Sequence, residues 1–127
     1  MEFCIALHAH HEADLPVEFL TESYESRLNT IRTVKRQCES PARIALRERL
    51  FVEIKPDDMP PWMAKLGEEL AKLRAEWDRL REGWDRLGEE RGRLGEERAT
   101  DLIAYHDAHC SCGWTRERRN IFTLAGI

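Results

Sequence analysis

Leu73-Arg-Ala-Glu-Trp77-Asp-Arg, Leu80-Arg-Glu-Gly-Trp84-Asp-Arg, Leu87-Gly-Glu-Glu-Arg91-Gly-Arg and Leu94-Gly-Glu-Glu-Arg98-Ala-Thr are four consecutive seven-residue units. Leu66, Leu73, Leu80, Leu87 and Leu94 take one position of an apolar stripe, and Leu70, Trp77, Trp84, Arg91, Arg98 and Tyr105 take the other. A strict seven-residue repeat keeps one helix face turned to a partner and imposes a left-handed supercoil. The pattern predicts one coiled-coil helix over residues 62–109, a rod of roughly 70 Å at 1.5 Å per residue. Its interface is assigned to Leu66, Leu70, Leu73, Trp77, Leu80, Trp84, Leu87 and Leu94. Glu69 with Arg74, and Glu76 with Arg81, stand where charges meet across a parallel pair, so a second copy of the chain is the expected partner. The chain's own head or a different protein are the alternatives. Arg91 and Arg98 at core positions weaken the second half, as do Gly83, Gly88, Gly92 and Gly95, each costing about 1 kcal/mol relative to alanine.

Ahead of the repeat, Phe3, Ile5 and Leu7 alternate as in a short half-buried strand. Leu20, Tyr24, Leu28, Ile31 and Val34 recur at helical spacing, with Thr21 or Asp14 as cap, and Cys38-Glu39-Ser40-Pro41 ends that helix. From Arg43 to Lys55 the apolar residues Ile44, Leu46, Leu50, Val52 and Ile54 fall on even positions, which predicts a strand, although Ala42 to Arg49 also fits a helix. Pro56, Asp57, Asp58, Pro60 and Pro61 read as a stiff linker belonging to neither neighbour. Beyond the repeat, Trp114-Thr115 and Ile121 to Leu124 predict two strands joined by the Arg116 to Asn120 turn. The predicted fold is α+β: a strand–helix–strand head (1–55), a proline-rich linker (56–61), a coiled-coil helix (62–109) and a cysteine-containing β-hairpin tail (110–127). With 127 residues in all, such a head is small enough to need help from oligomerisation or a metal.

His106, His109, Cys110 and Cys112 lie within seven residues at the end of the repeat. Two histidines three apart share a helix face, and a Cys-x-Cys leaving that helix can turn both sulfurs to the same point. Four such donors suit zinc, which takes nitrogen and sulfur in a tetrahedron. The rival reading is a helix end with ordinary thiols packed in an apolar turn. A second cluster, His8, His10 and His11, lies on the first strand. His8 and His10 point to one side, as in the His-x-His pairs of metal-dependent hydrolases, and Glu12 and Asp14 offer oxygen ligands. Those enzymes need a large barrel that this chain is too short to form, so a solvated strand end is the expected role. If the tail pairs with the head's sheet, a mixed site from His8, His10, His109 and Cys110 results.

Charged residues make up 35% of the chain and the net charge is −4, which argues against a nucleic-acid-binding protein. The basic patch is confined to Arg116, Arg118 and Arg119. No stretch reaches the ~20 apolar residues of a membrane span, and Phe3 to Leu7 is too short for a secretory signal core, so a cytoplasmic protein with reduced thiols is expected. No glycine-rich phosphate loop, nucleophile elbow or Ser/His/Asp arrangement is present, and no catalytic residue is assigned.

Glu25-Ser26-Arg27-Leu28-x2-Ile31-Arg32-Thr33, Ala42-Arg43-Ile44-Ala45-Leu46-Arg47-x-Arg49-Leu50-Phe51, and Cys110-x-Cys112-x-Trp114 with Ile121-Phe122 resemble features of small uncharacterised proteins from phages and environmental genomes. Those proteins join a short head to a heptad helix and a cysteine-containing tail. The tail of the group carries Cys-x2-Cys-x-Trp and a tight Asp/Asn-Gly turn, where this chain has a one-residue gap and Thr115 to Asn120. The resemblance implies no activity, and a location in the host cell if the chain is viral. The function expected is that of a non-catalytic homo-oligomeric scaffold of phage type. A small zinc-dependent enzyme and a zinc-stabilised nucleic-acid-binding module are the alternatives.

Overall fold

All four side chains of the first strand, β1 (Cys4–Leu7), are buried. Cys4 and Ala6 join a cluster with Leu20, Leu28, Ile31, Ile44 and Phe51, while Ile5 and Leu7 join another with Met63, Leu66, Leu70 and Leu102. Successive strand residues point to opposite faces, so a strand buried on both must lie centrally between two layers. β1 does so, between β2 (Val17–Leu20) and β3 (Val52–Glu53), both antiparallel to it. Cys4 stands opposite Leu20, and Leu7 stands opposite both Val17 and Val52. The computed structural model describes residues 3–79 and 84–127, with side chains described outside 77–88.

One layer is α1 (Tyr24–Thr33) and α2 (Pro41–Leu50). α1 begins at Ser23, whose hydroxyl accepts from the Ser26 N–H, and neither Thr21 nor Asp14 caps it; Leu20 belongs to β2. α2 corrects the strand expected over Arg43 to Lys55. Ser40 Oγ accepts from the Arg43 N–H and Pro41 sits in the first turn, a strong helix start. The even-numbered apolar row arises because α2 buries two faces. Ile44 packs toward the sheet and Leu46 toward the tail, about 200° apart on a helix at about 100° per residue.

The opposite layer replaces the single rod with three helices, α3 (Pro61–Arg79), α4 (Trp84–Glu97) and α5 (Ala99–His109). α3 and α4 pack side by side, and Leu94 packs against the cluster holding Leu66 and Leu70. Part of the heptad stripe therefore closes on its own chain. Arg98, at φ −102° and ψ 5°, leaves the helical region between α4 and α5, at the end of the glycine-weakened half. Leu66 and Leu70 are buried and Leu73 and Leu94 half-buried; Trp77, Leu80, Trp84 and Leu87 lie outside the described side chains. Gly67 lets α3 approach β1, because a Cβ there would sit 3.0 Å from Ile5 Cδ1. Pro61 opens α3 and Pro56–Asp58 is a 3-10 turn, so the expected linker is part of the packed structure, with Met59 against the second cluster.

The tail is a helix, α6 (Ile121–Ala125), where a hairpin was expected, and residues 110–120 contain no strand. Asn120 Oδ1 accepts from the Phe122 and Thr123 N–H groups, and Gly126 ends the helix at φ 75°, a left-handed cap that glycine adopts without strain. Ile121 and Phe122 pack against Leu46 and Leu50 of α2. No helix among the described residues is long and apolar enough to cross a membrane.

Candidate metal centre

His8 lies just past the end of β1 with φ 50°, a left-handed conformation uncommon for a residue bearing a Cβ. Its N–H is held by the Pro16 carbonyl at 3.0 Å, which turns the chain sharply and leaves the imidazole 4% exposed. His106 comes from the last turn of α5 and is 1% exposed. Cys110 terminates α5, its N–H donating to the His106 carbonyl at 2.7 Å. At φ −146° and ψ 134° its backbone is extended, and residues two apart on extended chain face the same way, so Cys112 follows it inward. Gly113, at φ 84°, then turns the chain and brings Trp114 edge-on to the His106 ring, 6.0 Å between centroids.

One donor atom from each of His8, His106, Cys110 and Cys112 lies within 4.8 Å of the others, and the group could hold a metal ion. The imidazole Nε2 atoms are 2.9 Å apart. Cys112 Sγ is 3.3 Å from both, and Cys110 Sγ is 3.7 Å from His8 Nε2. A tetrahedral zinc with bonds of about 2.05 Å to nitrogen and about 2.3 Å to sulfur has edges of about 3.3 Å between nitrogens and about 3.6 Å from nitrogen to sulfur. These four spacings lie within about 0.5 Å of those edges, while separations within the group extend to 4.8 Å, so a bound ion would draw the donors closer together. His106 Nδ1 donates to Asp107 Oδ1 at 2.9 Å. That contact places the proton on Nδ1 and leaves the Nε2 lone pair directed into the cluster, as carboxylate partners of metal-binding histidines do.

Burial, aided by the nearby His106, pushes the His8 pKa down to about 4, so its imidazole is neutral and able to ligate at ordinary pH. Burial pushes the Cys112 thiol up to about 11. A bound cation offsets that cost by stabilising the thiolate.

Three of the expected ligands, His106, Cys110 and Cys112, meet here, and His109 does not. Its Nδ1 donates to the Tyr105 carbonyl at 2.8 Å and its ring stacks on Tyr105 at 4.0 Å, on the exposed side of α5. Of the mixed set, His8 and Cys110 meet, whereas His10 bonds Glu18 at 2.5 Å on the surface. His11 stacks on Phe122 at 5.0 Å. Glu12 and Asp14 are exposed, and Asp14 pairs with Arg119. Within the basic tail patch, Arg116 is bonded to both oxygens of Glu96 at 3.0 Å, so two of the three arginines are already engaged by carboxylates.

No family model matches the chain, and no curated protein and no solved structure matches it either.

Proposed function

We propose that this chain is a non-catalytic binding protein whose fold is closed by one structural zinc ion held by His8, His106, Cys110 and Cys112. The observation that carries the reading is the convergence of four nitrogen and sulfur donors within 4.8 Å of one another, with both imidazoles buried. Catalytic zinc keeps a position for water or substrate, whereas four protein donors fill the tetrahedron. A zinc-dependent enzyme therefore has no open position to work with. The metal joins the end of β1 to the end of α5 and to the tail, reinforcing the Ile121 N–H to His11 carbonyl bond at 3.0 Å and the Arg119–Asp14 pair that also tie the tail to the head. Assembly of copies through the heptad would have to rely on residues other than Leu66 and Leu70, which the chain's own core buries.

Protein purified without an affinity tag is expected to contain about one zinc per chain by atomic absorption. His8→Ala should remove most of it, while His109→Ala should leave it unchanged. Metal-free wild-type protein with tail resonances unaffected by added zinc would overturn the reading. Loss of metal in His109→Ala but not in His8→Ala would overturn the ligand set.

A further inference from the structure

A cleft of about 840 Å³ lies between β2 and α4, away from the metal centre, within the roughly 300–1,000 Å³ of small-molecule sites. Leu15, Val17, Phe19 and Leu70 supply an apolar lining. Gly92 and Gly95 form its α4 wall, where a Cβ on Gly92 would meet nothing within 4 Å and one on Gly95 only Leu15 Cδ1 at 3.9 Å. Two cations on the cleft are matched by carboxylates, Arg116 by Glu96 and Arg119 by Asp14, and the His10 ring is hydrogen-bonded to Glu18.

Arg91 differs. Half-buried in the same cleft, it has no carboxylate partner among the described residues. Its guanidinium reaches the Phe19 carbonyl at a long 3.4 Å. Burial, with the Arg74 cation acting on it, pulls its pKa below the usual arginine value, the mark of a cation lacking a compensating anion. A guanidinium carries five N–H donors arranged to grip a carboxylate with two parallel bonds. Among the described residues, contact with one carbonyl leaves most of that capacity unused.

We propose that this cleft binds an amphiphilic carboxylate, with Arg91 gripping the head group and the apolar lining taking the hydrocarbon. The glycines of α4 leave the wall open for the hydrocarbon at the cost of helix stability. Neither the metal centre nor its ligands take part, so the site stands apart from the zinc reading.

Decanoate and decanol, below micellar concentration, test it on the full chain as purified, by titration calorimetry. Decanoate is expected to bind about tenfold more tightly than decanol, the equivalent of one charge-assisted hydrogen bond. Arg91→Gln should bring decanoate down to the decanol level. Gly92→Leu, which fills open space and replaces a weak helix former, should reduce both affinities while zinc content and Tm are retained. Equal affinity for the two probes, failure of both to bind, or an Arg91→Gln chain that still prefers decanoate would overturn the proposal.

Discussion

Arg47 is 3% exposed, and its position shows what one buried cation demands. Glu39 accepts from it with both oxygens, at 2.6 and 2.5 Å. His11 Nδ1 lies 3.2 Å from Nη2, and the Phe122 ring lies under the guanidinium at 4.9 Å. The hydrogen bonds and charge of Arg47 hold the Glu39 carboxyl below its ordinary value of 4.5. Acid therefore bears on this pair with a definite sign. A carboxyl depressed in the folded state contributes stability that is fully present above the unfolded value and is lost as pH falls through the folded one. Urea unfolding should show Glu39→Gln closing its gap to wild type as pH drops from 7 to below 4.5. A gap that stays constant or widens in acid would show that the pair adds nothing through charge.

At the scale of elements, start signals decided more than periodicity did. Ser40-Pro41 launches α2 through a row of residues that alternates like a strand. Ser40→Ala should cost about 1 kcal/mol in thermal or chemical unfolding; an unchanged midpoint would mean that α2 is held by packing alone. The alternation of Phe3, Ile5 and Leu7 did locate β1, since any strand places those residues on one face. It could not reveal that the other face is covered too, because Cys4 and Ala6 look neutral until α1 and α2 arrive. β2 was hidden because Leu20 also fits the helical spacing of Leu28 and Ile31. The heptads correctly mark long helices, but a seven-residue stripe looks the same whether its partner is another copy or the next stretch of the same chain. His106, Cys110 and Cys112 were legible as a group from spacing alone. His8 was not joined to them directly because 98 residues separate it from His106, and only the path of β1 beneath α5 closes that gap.

For the whole molecule, α3, α4 and α5 pack part of the heptad stripe against the sheet within one copy, among the described residues. Leu66, Leu70 and Leu102 are buried with Ile5 and Leu7 within one copy. Tm should therefore stay constant over about a hundredfold range of protein concentration, as it does for a core that needs no second chain. A midpoint that climbs with concentration would place the heptad stripe between copies. The distance in sequence between His8 and the cysteines has a further consequence, for how the molecule is made. At about 5–20 residues per second, the ribosome needs roughly 5 to 20 s after adding His8 before it adds Cys112. Within that interval β1 can pair once β2 and β3 have been made, yet the four-donor centre does not exist. Metal loading of the proposed centre would thus wait until Cys112 is made, and a ribosome stalled anywhere upstream carries a chain that cannot form this centre.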